Sequence, residues 1–168
     1  MKVLLTGLPR SGKTTLLQKL VEAVEPRTGF LTTEIRKDGE RTGFEIITNG
    51  GRRAILASAQ SKSPLRVSKY GVELEELERL LPELLNFSPI DLLYVDEIGQ
   101  MELLSDKFKD FVVKYLDAEN LFVGTISRIY SDDFVKEVKN RKDIEIVEVT
   151  PENRNELFDK LSKKLLSS

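Results

Sequence analysis

Apolar residues along the chain recur with two periods, and each change of period marks an element. Residues 2–6, KVLLT, are a short apolar run with β-branched Val3 and Thr6 and predict a buried strand. From Thr14 to Val24 the apolar positions 16, 17, 20, 21 and 24 share one helix face, which Pro26 closes. Three strand-like runs follow, FLTTEI, GFEIIT and RRAILA. Asp38-Gly39 and Asn49-Gly50-Gly51 separate them, and these residue types accept the positive φ of tight turns. Residues 29–57 are therefore expected to form an antiparallel meander attached to the main sheet. Residues 58–71, SAQSKSPLRVSKYG, are polar, basic and broken by proline, and are expected as a loop of functional length. Val72–Leu85 reads as an acidic amphipathic helix, with Pro82 late in it as a kink or boundary.

The second half alternates between periods. Asp91–Val95, Leu121–Ile126 and Ile144–Val149 are expected strands. Ser105–Leu116 and Asp132–Lys139 are expected helices, the first with Ser105 as its cap. Thr150-Pro151 is expected to open the last helix, threonine as N-cap and proline in the first turn. This alternation predicts an α/β fold, a mostly parallel central sheet with helices on both faces. No repeat, low-complexity tract or linker interrupts the chain, so residues 1–168 are expected as a single domain.

Between the first strand and the first helix stands GLPRSGKT, residues 7–14, which matches G-x-x-x-x-G-K-[ST] in the strand–loop–helix setting that motif requires. The candidate phosphate-binding residues are Gly7, Leu8, Pro9, Arg10, Ser11, Gly12, Lys13, Thr14 and Thr15. Gly7 and Gly12 permit a backbone path that turns N–H groups inward around phosphate oxygens, and the helix start adds its positive end. Lys13 is placed to reach the β- and γ-phosphates, and the Thr14 hydroxyl to ligate Mg²⁺. Arg10, inside the loop, either contacts phosphate or points to solvent.

A nucleoside triphosphate site gives the stretch LLYVDEIGQMEL, residues 92–103, a defined reading. P-loop enzymes need an acid at the carboxyl end of a neighbouring strand to hold the metal, and Asp96 supplies it. Gly99 argues against the alternative that Asp96 caps a helix. Glu97, one residue on, is the candidate for orienting a water towards the γ-phosphate. A kinase excludes water and presents an acceptor, so a water-activating acid here tilts the reading towards hydrolysis. A nucleoside or nucleotide kinase, with residues 58–71 (Lys62, Arg66, Lys69) as its basic lid, and a nucleotide-dependent switch protein remain the alternatives.

Composition narrows the chemistry further. The chain has no histidine and no cysteine, which excludes Ser-His-Asp and Cys-His catalysis, thiol redox chemistry and the usual zinc sites. A net charge of −2 with both signs interspersed gives no reason to expect nucleic acid as a partner. No signal peptide or membrane-spanning run is visible, so a cytoplasmic location and no membrane contact are expected.

The segments GLPRSGKTT, GFLTTEIR, RTGFEI, SKYGV, VDEIGQMEL, GTI and VTPENRNEL together resemble the small P-loop nucleoside-triphosphatases of thermophilic bacteria and archaea, which have a cancer-related homologue in animals. The resemblance runs nearly end to end. It implies a compact α/β P-loop domain and Mg²⁺-dependent release of the γ-phosphate from several nucleoside triphosphates (ATP, GTP, CTP, UTP). Transferred residue by residue, it implies that Gly7 to Thr15 form the phosphate loop, that Lys13 contacts phosphate, and that Asp96 and Glu97 form the metal and water site. It also implies a monomer. The family more often carries Gly and Val where this chain has Arg10 and Ser11, and Pro where it has Ser127. Arg128, just past a strand end, either stabilises transition-state charge or is an exposed loop arginine. Glu34, Arg36 and Arg41 either approach substrate or pair across strands. Arg154 is a candidate to pack against the nucleobase.

Overall fold

The computed structural model describes residues 1–168. The chain runs β1 (Lys2–Thr6), α1 (Lys13–Glu22), β2 (Arg27–Lys37), β3 (Glu40–Thr48), β4 (Arg53–Ser58), β5 (Arg66–Val67), β6 (Tyr70–Val72), α2 (Leu74–Leu84), β7 (Leu92–Ile98), α3 (Asp106–Asp117), β8 (Phe122–Ile126), α4 (Asp133–Lys139), β9 (Glu145–Glu148) and α5 (Arg154–Leu166). A short 3₁₀ turn at Glu102–Leu104 separates β7 from α3. All nine strands share one sheet, ordered β5-β6-β4-β3-β2-β7-β8-β1-β9. From β2 to β9 every pairing is parallel, and from β2 to β5 every pairing is antiparallel.

The parallel strands are apolar at successive positions because both faces are covered. Val3 and Leu5 of β1, with Leu92 and Tyr94 of β7, pack under α1 and α5 beside Leu16, Leu20, Leu161 and Leu165. The intervening Leu4, Leu93 and Val95 face the other way, onto α2, α3 and α4, beside Leu80, Phe108, Phe111 and Val135. One sheet thus divides two cores.

Strand β2 joins the two halves. Arg27–Phe30 pair with β7, and Phe30–Lys37 pair with β3. At the changeover Gly29 N–H donates to Asn49 Oδ1 at 3.1 Å, and Gly29 C=O accepts from Asn49 N–H at 3.0 Å. Only glycine fits there, since a Cβ would lie 2.0 Å from the Tyr94 carbonyl oxygen. The expected meander and both turns are present; Asp38 (φ 52°) and Gly39 (φ 78°) close the first.

Several boundaries differ from expectation. The segment 58–71 is not a plain loop, for Arg66–Val67 and Tyr70–Val72 form a small hairpin on β4. Val72, read as helical, ends that hairpin, and α2 begins at Leu74. Pro82 lies within α2, which continues to Leu84. Strand β7 runs past Val95 to Ile98, so both acids of the pair are strand residues. Thr150 caps the turn that leads into the last helix, and Pro151 lies in that turn. Thr150 N–H donates to Asn153 Oδ1 at 2.8 Å, and Asn153 N–H donates to Thr150 Oγ1 at 3.2 Å. These reciprocal bonds form a capping-box turn, Arg154 N–H donates to Thr150 C=O at 3.2 Å, and the regular ladder of α5 begins at Arg154. Ser105 does cap α3, its Oγ accepting from Phe108 N–H at 3.1 Å. No helix is long and apolar enough to cross a membrane.

Candidate active site

The phosphate loop leaves β1 and enters α1 through Gly12, whose φ of 96° only glycine adopts freely. Arg10 is also left-handed, at φ 65°, and its side chain is exposed where it lines the cavity that holds Lys13, Asp96 and Glu97. Gly7 lies so close to Val149 C=O and Ser11 Oγ that an added Cβ would stand 2.6 and 2.7 Å from them. Ser11 Oγ is buried and unpartnered, an orphaned hydroxyl inside the loop. Lys13 folds back over the loop: its Nζ donates to Gly7 C=O at 3.1 Å and stands 3.3 Å from Glu97 Oε2. The loop and the acid pair, 83 positions apart between Lys13 and Asp96, are thereby brought into contact.

Asp96 is buried at the carboxyl end of β7. Its Oδ1 accepts from Thr125 Oγ1 of β8 at 2.7 Å and from Thr14 Oγ1 at 3.4 Å, and its Oδ2 accepts from Thr32 N–H of β2 at 3.5 Å. Thr32 Oγ1 also donates to the Asp96 carbonyl. Burial pushes the Asp96 carboxyl up to about 6, although the Thr125 hydrogen bond opposes the shift. Glu97 is only partly covered. Glu102 stands behind the pair, buried, with Oε2 accepting from Gly99 N–H at 3.1 Å. Burial and then the Glu97 charge push its carboxyl well above the ordinary carboxylate range.

The donor set fits a hard divalent ion. Thr14 and Asp96 present oxygens to one point, and magnesium is usually held by one or two carboxylates plus phosphate oxygens and waters. With Thr14 and Asp96 as its protein donors, such an ion would take its remaining oxygens from phosphate and water.

The chain matches the family described as NTPase over residues 2–162. The chain belongs to this NTPase family. Nucleoside-triphosphatase THEP1 of Thermotoga sp. (strain RQ2) is 47% identical over 163 residues, covering 96% of this chain and 93% of that one. Among solved structures, the crystal structure of THEP1 from Aquifex aeolicus superposes with a TM-score of 0.87 at 36% identity, covering 96% of each chain. The solution structure of a human cancer-related nucleoside triphosphatase gives 0.84 at 35% identity, over 99% of this chain and 98% of that one. The resemblance read from the motifs and the α/β fold are both borne out.

Within this NTPase framework, four polar residues of the site carry no motif signal that singles them out. Thr32 and Thr125 hold Asp96, and Glu102 lies under Glu97. Lys139, in the last turn of α4, donates to Ser127 C=O at 2.9 Å. Burial, then the charges of Arg128 and Lys13, hold its ammonium below the usual lysine range, so three cations share this edge. Arg128 itself is exposed and pairs with Glu148 at 3.3 Å. Of the cations in 58–71, Arg66 and Lys69 have partners on the protein, while Val67, Ser68 and Tyr70 line the cavity that holds Lys13. Arg66 donates to the carbonyls of Ser61 and Lys69, and Lys69 pairs with Glu40. Arg41 pairs with Glu34 at 3.3 Å, the cross-strand alternative, yet both also line a cavity of about 670 Å³ that contains Lys13, Asp96 and Glu97. A second cavity, about 380 Å³, opens beside Gly12 and Thr15 and is walled by Lys19, Arg154 and Phe158.

Proposed function

We propose that the protein is a Mg²⁺-dependent nucleoside-triphosphatase that converts ATP, GTP, CTP and UTP to the diphosphate and phosphate. The observation that carries this reading is the convergence of Lys13, Thr14, Asp96 and Glu97, with Lys13 Nζ 3.3 Å from Glu97 Oε2 and Thr14 Oγ1 3.4 Å from Asp96 Oδ1. Residues 7–15 cradle the phosphates through their N–H groups, and Lys13 turns from Gly7 C=O to the γ-phosphate. Thr14 and Asp96 hold the magnesium, which when bound neutralises charge on the phosphate oxygens. Glu97 orients a water and takes its proton as the water oxygen bonds to the γ-phosphorus and the bond to the bridging oxygen breaks. Lys139, fixed on Ser127 C=O, adds positive potential along the same edge.

The nucleoside follows the phosphate chain past Thr15 into the smaller cavity. Arg154 lies beside Gly12, where a Cβ would lie 3.0 Å from its Nη1 and 3.1 Å from its Cδ. A guanidinium plane stacks on any base without reading its edge, which supports a broad choice of nucleotide. A monomer, as the resemblance implies, acting on free nucleotides in the cytoplasm completes this reading.

Phosphate release from each Mg-NTP, without added acceptor, tests this reading in wild type and in Glu97→Gln. Steady release that falls about 10²–10⁴-fold in the variant, while nucleotide still binds, is the expected outcome. Equal release in both proteins removes Glu97 from the mechanism; none in the wild type removes the hydrolase.

A further inference from the structure

Hydrolysis needs room for the γ-phosphate, its metal ion and one water, whose share of liquid volume is about 30 Å³. The cavity holding Lys13, Asp96 and Glu97 is about 670 Å³. Its extra extent comes from the antiparallel half of the sheet. β2 leaves β7 after Phe30 and runs on to Lys37, so residues 31–37 carry the meander roughly 20 Å farther at the usual strand rise. Its inner surface then faces the catalytic edge across a gap, Glu34, Arg41, Phe44 and Tyr70 on one side, Met101 and Tyr130 on the other.

This wall is built and fixed. Arg41 Nε donates to Tyr70 Oη at 2.9 Å, and its Nη1 to Glu34 Oε1 at 3.3 Å. The guanidinium carbon lies 5.1 Å from the Phe44 ring centroid, and Phe44 meets the Tyr70 ring edge-on. Glu34 is held from its other side by Arg36, whose Nη2 donates to Oε2 at 2.8 Å. A carboxylate and a guanidinium are thereby set side by side above an aromatic floor. That arrangement presents acceptor and donor to one planar edge, as a heterocyclic base offers. Nothing in the removal of a γ-phosphate by water uses it.

We propose that the meander wall binds a second substrate, a nucleoside, with its ring at the Glu34–Arg41 pair and a sugar hydroxyl towards Glu97, and that the γ-phosphoryl group passes to that hydroxyl. The hydroxyl oxygen bonds to the γ-phosphorus, the bond to the bridging oxygen breaks, the nucleoside diphosphate leaves, and the hydroxyl proton goes to Glu97. Water at the same point gives hydrolysis, so the two outcomes compete. The inference rests on the triphosphate reading for its donor only; it does not require that hydrolysis be fast.

The test gives the full chain Mg²⁺ and γ-labelled ATP, with adenosine, guanosine, cytidine or uridine in turn, and separates labelled nucleoside monophosphate from labelled phosphate. Labelled monophosphate in at least one reaction, with phosphate release falling in step, is expected. Its absence from all four overturns the proposal, whatever the acceptor-free release, which separately judges the hydrolase. Arg41→Ala and Phe44→Ala then locate the acceptor. Each is expected to lower the ratio of transferred to released phosphate at least tenfold. Arg41 is on the surface, so its variant reads the site even where Phe44→Ala folds poorly. An unchanged ratio in Arg41→Ala overturns the assignment of this wall.

Discussion

The two halves of the sheet obey different rules. In the parallel half Val3, Leu4 and Leu5, and again Leu92 to Val95, are buried without a break. In the antiparallel half β4 alternates, with Arg53 and Ile55 outward and Ala54 and Leu56 inward. Parallel strands covered on both faces leave only their carboxyl ends free for chemistry, and the phosphate loop, Asp96 and Glu97 all stand there. Antiparallel strands have a spare face, and the meander spends part of its own on a wall that looks at those ends. The first half carries the candidate reacting groups, and the second supplies the wall that faces them.

The separation of roles breaks first at Lys13. Lys13→Ala is expected to reduce phosphate release about 10²–10³-fold, equivalent to roughly 3–4 kcal/mol of barrier, as for loss of one preorganised donor. Steady-state release under saturating nucleotide reads it.

Asp96 shows what the parallel half gives up for function. Its folded carboxyl is raised from the ordinary 3.8 to about 6 by burial, so the folded state binds a proton more tightly than the unfolded chain. That stability is complete below pH 3.8 and lost as pH rises through about 6. Asp96→Asn in metal-free protein is therefore expected to raise the unfolding free energy by up to about 3 kcal/mol at pH 8, with the gain vanishing near pH 4. Denaturant unfolding at both values checks this, and a gain independent of pH would refute it. In wild type the magnesium needed for half-maximal activity should rise as pH drops below about 6.

Gly29→Ala tests the joint between the halves. The new Cβ would stand 2.0 Å from Tyr94 C=O, so backbone must move, with a loss of about 1–3 kcal/mol or more in chemical denaturation. Arg53→Ala is the smallest change. It removes only the exposed pair with Glu45 on the outer meander face, and about 0.2–1 kcal/mol with no effect on phosphate release is expected.

Much of this was legible before any coordinates. Residues 7–14 announce a strand–loop–helix turn through Gly12, and the apolar run 92–95 a buried strand that leads to Asp96 and Glu97; both are properties of short segments. The hairpin at Arg66–Val72 was not legible, because pairs so short exist only where β4 offers them an edge. Thr150 does cap the turn into α5 through its reciprocal bonds with Asn153; what local pattern did not show is that the regular ladder begins only at Arg154.

The order of elements, the phosphate loop and the identity of the two acids follow from local pattern, since each depends on residues within a turn or a strand of one another. Which threonines clasp Asp96, and that Glu34 and Arg41 look into the same cavity as Lys13, depend on separate elements lying side by side: Thr14, Thr32 and Thr125 stand 82, 64 and 29 positions from Asp96. No segment encodes its neighbour in the sheet, so those facts belong to the tertiary structure alone.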